Sequence, residues 1–163
     1  MKKIDLLKKI EEAKIKQKAG NSLEANQIFQ VLLKSNNDSF DLLYAYALFC
    51  RDLKNFNLAK KVFLNLINKF PSSINPYILL AEILKIENKF KDSERVLQKA
   101  IEIDPNHGDL LYNFSLLYVA LRNFDYALVY IDKAIKLSIN NDIYKLLKSE
   151  IHINKSNIDE ALY

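Results

Sequence analysis

The sequence repeats itself every 34 residues, and this period constrains the fold more than any other feature. Small residues recur in two columns at this spacing. The first column contains Ala13, Ala47, Ala81, Ser115 and Ser149, and the second contains Ala25, Ala59, Ser93, Ala127 and Ala161. A third column holds the large apolar residues Phe29, Phe63, Leu97 and Ile131. A period between ~20 and 50 residues indicates a repeat protein in which each repeat packs on its neighbours.

Residues 74–107 show the pattern of one repeat most clearly. Apolar residues spaced by three, four and seven positions predict two amphipathic helices. The polar pair Asn88 and Lys89 predicts a bend between the helices, and Asp104-Pro105 predicts the end of the second, because the residue before a proline avoids the helical region. The small residues Ala81 and Ser93 lie where the two helices are expected to cross, and they allow the helix backbones to approach closely. The sequence therefore predicts an antiparallel helical hairpin.

This pattern resembles the tetratricopeptide repeat (TPR) family, whose 34-residue motif has small residues at positions 8 and 20 and often a proline at position 32. The resemblance implies an all-α fold, a right-handed superhelical solenoid of antiparallel helix-turn-helix hairpins. With Leu6 as position 1, we expect repeats at 6–39, 40–73, 74–107 and 108–141 and a truncated repeat at 142–163, in a single domain of residues 1–163.

The two ends depart from the family pattern. Lys9 and Lys16 occupy positions where the family places large apolar residues, so the first helix resembles a capping helix. In the fifth repeat we expect a bend near Asn157 followed by a short second helix. That stub would leave Ile143, Leu147 and Ile151 poorly covered, which suggests either a longer natural protein or self-association through the open C-terminal end.

Composition and charge restrict the possible partners. No stretch approaches the ~20 apolar residues of a membrane span, and the N-terminal lysines are not followed by the apolar core of a signal peptide, so a cytoplasmic protein is expected. Residues 1–73 hold 13 basic and 7 acidic residues, net +6, whereas residues 74–163 are net −2. A basic half could bind nucleic acid or an anionic membrane surface. Because 21 of the 24 basic residues are lysine, and arginine is preferred for reading phosphates and bases, no nucleic-acid partner is predicted.

The cysteine and the histidines do not predict chemistry. Cys50, the only cysteine, falls in a core column and is interpreted as a buried structural thiol. His107 and His152 have no second histidine or cysteine at ligand spacing, and neither belongs to a catalytic signature. No metal, cofactor or enzymatic activity is predicted.

In the TPR family, the first helix of each repeat lines a concave groove, chiefly through positions 2, 5, 9 and 12. The residues predicted to bind a partner are here called the groove face. They are Ile10, Tyr44, Leu48, Arg51, Ile78, Glu82, Lys85, Tyr112, Asn113, Leu116, Val119, Leu146 and Glu150. Position 5 is apolar in every repeat, which indicates either an apolar peptide groove with Tyr44 and Tyr112 as anchors or a column that helix packing buries. Asn113 alone matches the backbone-gripping asparagine of some family members.

The function predicted from these residues is a noncatalytic protein–protein interaction scaffold that binds a peptide or helix in an apolar groove. The alternative is an N-terminal recruiting arm of a larger enzyme such as a glycosyltransferase or sulfotransferase.

Overall fold

The computed structural model describes the backbone of residues 3–161 and the side chains of residues 3–158. Over this part of the chain every regular element is an α-helix. The helices are α1 Lys3–Lys18, α2 Ser22–Ser35, α3 Phe40–Asp52, α4 Phe56–Lys69, α5 Ile74–Ile86, α6 Phe90–Ile103, α7 Gly108–Ala120, α8 Phe124–Leu137 and α9 Asp142–Ala161. Helices α3, α5, α7 and α9 begin at the residues predicted to open their repeats.

Two compact units divide the chain at residue 76. The N-terminal unit, Met1–Pro76, contains α1–α4 and the first three residues of α5. The C-terminal unit, Tyr77–Tyr163, contains the rest of α5 and α6–α9. The single domain expected from the sequence stays a prediction.

Each bend between the two helices of a hairpin contains one residue in the left-handed region. These residues are Gly20, Lys54, Asn88 and Arg122, with φ of +82°, 58°, 58° and 56°. The N–H of the next residue bonds back to a carbonyl five residues earlier, as in Asn55 N to Cys50 O at 2.9 Å. This bond satisfies a carbonyl at the end of the first helix. The left-handed conformation costs a non-glycine residue about 1–2 kcal/mol, which the packing of the second helix offsets.

Small side chains lie where the two helices of a hairpin cross. In the N-terminal unit, Ala13, Ala25, Ala47 and Ala59 are fully buried. In the C-terminal unit, two serines join the paired helices: Ser93 Oγ donates to the Ala81 carbonyl at 2.8 Å, and Ser115 Oγ donates to the Ala127 carbonyl at 2.9 Å. A serine fits this close crossing because its hydroxyl bonds to the opposing backbone.

We expect Ser115→Ala to lower the free energy of unfolding by about 1 kcal/mol, because the bond to the Ala127 carbonyl is lost. Ser149→Ala is the matched control. Ser149 occupies the same repeat position on α9, but it is exposed and its hydroxyl donates to the Lys145 carbonyl of its own helix. Urea denaturation of both variants measures the difference. Equal losses would show that the bond between the helices does not contribute.

The predicted fifth hairpin is wrong in one respect: α9 continues from Asp142 to Ala161 through the expected bend. Ser156 takes the repeat position of the left-handed residues but is helical. With a helical residue at this position, α9 keeps its own backbone hydrogen bonds through the segment where the other hairpins bend.

Helix α9 covers the preceding hairpin with one face. Tyr144, Leu147 and Ile151 are buried in a cluster with residues of α7 and α8. The expectation of poor cover is therefore wrong for Leu147 and Ile151, whereas Ile143 is 63% exposed, as expected. Lys145, Ser149 and His152 are exposed on α9, at repeat positions that hold Leu43, Ala47 and Cys50 in the core of α3. This polar face is typical of a capping helix. Self-association through this end stays a prediction.

Candidate functional site: the groove face

In the N-terminal unit the groove face lies on α1 and α3. Ile10 belongs to the core, whereas Tyr44 and Leu48 are half-buried. The Tyr44 ring stacks on Phe40, with ring centroids 5.5 Å apart. Burial raises the pKa of Tyr44, and the positive charge of Arg51 opposes this shift. Tyr44 therefore presents a neutral phenol with part of its ring accessible.

Arg51 is held beside a carboxylate at the end of α3. Its Nε and Nη2 atoms donate to Asp52 Oδ1 at 3.1 and 2.9 Å. The other carboxylate oxygen, Asp52 Oδ2, accepts from Gln17 Nε2 of α1 at 3.0 Å. The guanidinium is thus placed by an acid that also joins α1 to α3, and its charge is partly compensated.

In the C-terminal unit the groove face centres on an aromatic pair. Tyr112 of α7 stacks on Tyr144 of α9, with ring centroids 5.4 Å apart and an interplanar angle of 25°. The Tyr144 hydroxyl donates to Asp109 Oδ1 at 2.6 Å. Burial, the hydrogen bond to Asp109 and its charge raise the pKa of Tyr144. Burial and the nearby charges of Glu150 and Asp109 raise the pKa of Tyr112. Both phenols are therefore neutral at physiological pH.

Gly108, the first residue of α7, makes room for this pair. A Cβ atom at this position would lie 2.9 Å from the Tyr144 hydroxyl oxygen. The backbone of Gly108 is not in the left-handed region, so the requirement for glycine comes from this close approach.

The α5 part of the groove face is largely occupied by packing. Ile78 is only 8% exposed, so it offers little surface to a partner. Glu82 and Lys85 are half-buried. Burial lowers the pKa of the Lys85 ammonium, and the charge of Glu82 acts in the opposite direction. These two residues provide opposite charges one helical turn apart.

Three further residues of the groove face lie on α7. The Asn113 amide donates to the Asp109 carbonyl of its own helix at 2.8 Å. Leu116 and Val119 are half-buried and pack against the core cluster of the last hairpin. Asn113 is therefore engaged by its own backbone, and Leu116 and Val119 leave apolar edges accessible.

Helix α9 carries the most exposed apolar residue of the groove face, and two further exposed apolar residues lie beside it. Leu146 is 71% exposed, and Ile143 and Ile153, at positions 2 and 12 of the same helix, are 63% and 61% exposed. Glu150 is also exposed on this helix. Spacings of three and seven residues place Ile143, Leu146, Glu150 and Ile153 on one side of the helix. Their apolar side chains contribute little to the internal core.

The repeat positions predicted Tyr44 and Tyr112 as anchors. They did not predict that Tyr144 contacts both Asp109 and Gly108. Position 3 of the repeats reads Lys8, Leu42, Pro76, Leu110 and Tyr144. This column is buried in the second to fourth repeats, so a tyrosine there was a signal that its hydroxyl needs a partner. Gly108 at position 1, where other repeats have large residues or Asp142, was a second signal that space is needed there.

The remaining reactive side chains have structural roles. Cys50 is buried, and burial raises the pKa of its thiol. His107 precedes α7, and its Nδ1 accepts from the Leu110 N–H at 3.3 Å, which caps the helix. His152 is exposed on α9.

Residues 74–107 and 108–141 each match the family model described as "Tetratricopeptide repeat". These boundaries coincide with two of the repeats inferred from the sequence, and the helices α5–α8 fill them. The chain is a tetratricopeptide repeat protein. Its fold is an all-α helical-repeat solenoid, and such repeats serve as protein–protein interaction scaffolds.

Solved structures agree on the fold of this TPR protein. It is similar to TTC0263, a thermophilic TPR protein of Thermus thermophilus, with a TM-score of 0.76 and 20% identity, covering 96% of this chain and 86% of that one. It is also similar to YrrB, a TPR protein with an unusual peptide-binding site, with a TM-score of 0.70 and 20% identity over 84% of this chain and 71% of that one. At these identities the likeness shows the fold alone.

Among curated proteins, this TPR protein is similar to the mitochondrial import receptor subunit TOM70 of Mus musculus. The two are 25% identical over 121 residues, which is 74% of this chain and 20% of the relative. The chain thus spans about a fifth of the length of that relative. Among the described residues of this TPR protein, no helix has the length and apolar character needed to cross a membrane.

Proposed function

We propose that this TPR protein is a noncatalytic scaffold that binds an apolar segment of a partner protein on its groove face. The observation that carries the proposal is the exposed apolar side of α9. Ile143, Leu146 and Ile153 face solvent, while Lys145, Ser149 and His152 make the neighbouring side of the same helix polar. If α9 only capped the last hairpin, both of its exposed sides could be polar. The exposed apolar side therefore indicates a further contact.

The chemistry of the interaction is burial of the partner's apolar side chains. Rigid aromatic surface is supplied by Tyr44 in the N-terminal unit and by Tyr112 in the C-terminal unit. Leu146, also in the C-terminal unit, supplies an accessible aliphatic side chain. Each large side chain buried contributes ~1.5–3 kcal/mol before the cost of ordering the segment. A few such contacts support an affinity on the order of micromolar, about −8 kcal/mol. Arg51, Glu82, Lys85 and Glu150 would fix the direction of the bound segment.

The first test is selection of a displayed library of random peptides on the full-length chain, followed by fluorescence titration of the selected peptides. We expect apolar peptides whose binding depends on the exposed apolar side of α9. Leu146→Ser/Ile153→Ser should weaken their binding about tenfold or more, because two exposed apolar contacts are lost. Val129→Ser is the matched control, since Val129 is an exposed apolar residue of α8 outside the groove face.

The aromatic anchors are tested in the same titration. Tyr44→Ala/Tyr112→Ala should also lower the affinity at least tenfold, about 1.4 kcal/mol, provided that circular dichroism shows a folded chain. Peptides that bind all these variants as tightly as the original chain would contradict the proposal. Failure to select any apolar peptide would contradict it as well.

Two finer expectations remain predictions. A cytoplasmic location rests on the sequence composition. The role of recruiting arm in a larger enzyme, such as a glycosyltransferase or sulfotransferase, would be favoured by a catalytic domain in the same natural polypeptide.

A further inference from the structure

Helix α1 has apolar residues on two opposite sides. Leu6, Ile10 and Ala13 are buried in the core of the N-terminal unit. Ile4 and Ile15, which are 67% and 58% exposed, point away from that core. Their separation of 11 residues is close to three helical turns, so both lie on one line along the helix.

Lysines border this apolar line on both sides. Here the outer face of α1 is defined as Ile4, Lys8, Ile15 and Lys18, all of which are exposed. At 100° per residue, Lys8 lies on one side of the two isoleucines and Lys18 on the other. Glu11, which lies on the same side of the helix between Lys18 and Ile4, forms an ion pair with Lys14 at 3.5 Å. The outer face therefore combines large apolar side chains with a positive border.

The charge of the whole N-terminal unit has the same sign. Residues 1–76 carry a net charge of +6, whereas residues 77–163 carry −2. An anionic surface would attract the N-terminal unit and orient it, because each lysine near such a surface contributes favourably. The C-terminal unit, with its net negative charge, would not contribute to this attraction.

We propose that the outer face of α1 binds the surface of an anionic lipid bilayer, with Ile4 and Ile15 inserted at the acyl boundary and Lys8 and Lys18 at the headgroups. A helix that lies in the interface needs apolar side chains in the middle and long cationic side chains at the edges, and the outer face has this arrangement. Nucleic acid would use the lysines but would leave the isoleucines exposed. The site is distinct from the proposed peptide site on α9.

The first experiment is sedimentation of the full-length chain with vesicles of phosphatidylcholine containing phosphatidylserine, and with vesicles of phosphatidylcholine alone. We expect binding to the anionic vesicles, weakened by added salt, and little binding to the neutral ones. Ile4→Ser/Ile15→Ser and Lys8→Gln/Lys18→Gln should each reduce the bound fraction about tenfold at limiting lipid. Val129→Ser/Ile139→Ser is the matched control, because it removes two exposed apolar residues of the other unit.

The chain contains no tryptophan, which allows a direct test of insertion. In Ile4→Trp the single indole should shift its emission to shorter wavelength only when anionic vesicles are added, whereas the indole of Ile139→Trp should not respond. The proposal is overturned if the chain does not sediment with anionic vesicles, or if the control variant loses binding equally. Binding that depends on the lysines but not on the isoleucines, together with tight binding to a DNA duplex, would overturn it in favour of nucleic acid.

Discussion

Phe63→Ala is expected to lower the free energy of unfolding by about 3–5 kcal/mol. Phe63 is 0% exposed and lies in α4, beside the fully buried Ala59 and Leu66. Removal of its ring leaves a cavity between tightly packed helices, which can collapse only in part. Since a typical domain is stable by only ~5–15 kcal/mol, this is a large fraction of the total. Urea denaturation followed by circular dichroism measures the loss.

The neighbouring residue provides the control for this variant. Leu64 is 49% exposed on the same helix, so Leu64→Ala removes apolar atoms from the same element without opening an internal cavity. We expect its effect to be about 0.5 kcal/mol or less. If both variants lost the same stability, position 24 of the second repeat would not be the core position that the 34-residue column indicates.

The start of each hairpin could be predicted from the sequence because it depends on local chemistry. The first helices of the second to fifth repeats begin at Phe40, Ile74, Gly108 and Asp142. Small residues recur at the helix crossings, and proline follows the end of α4 and α6, so steric rules within about ten residues determine these boundaries. The exposure of position 5 depends instead on contacts between elements distant in the chain.

Position 5 shows this limit most clearly. Ile10 and Ile78 occupy the same repeat position as Leu146, yet the first two are buried and Leu146 is 71% exposed. An apolar residue is found at this position whether the side chain is packed in the core or accessible to solvent. Residue type alone therefore does not predict its exposure. The continuous apolar column predicted from the sequence therefore consists of residues with different accessibilities.

The straight course of α9 could not be predicted for a related reason. Ser156 and Asn157 resemble the bend residues of other repeats, but a bend forms only when the following helix packs well enough to offset a left-handed residue. That balance depends on residues at positions 20 and 24. Local residue type favours the bend but does not report this tertiary balance, and α9 continues as one helix.

Gly108→Ala is expected to lower the free energy of unfolding by about 1–3 kcal/mol, although alanine is a better helix former than glycine. The added Cβ would lie 2.9 Å from the Tyr144 hydroxyl oxygen. The ring would have to move, which disturbs its 2.6 Å hydrogen bond to Asp109 and its stacking on Tyr112. Urea denaturation measures the loss.

Tyr144→Phe tests whether Gly108→Ala destabilises the chain through the close approach of its Cβ to the Tyr144 hydroxyl. The alternative is a general effect of alanine at the start of α7. The nearest carbon atoms of the Tyr144 ring would lie 3.5 and 3.6 Å from the new Cβ, which is ordinary contact. Removal of the hydroxyl should therefore rescue most of the stability lost in Gly108→Ala, and the double variant should be more stable than the two single effects added together. Additive losses would show that Gly108 is not required for the space it leaves to Tyr144. Rescue would establish that this glycine positions α9, and with it the exposed apolar side on which the proposed partner site depends.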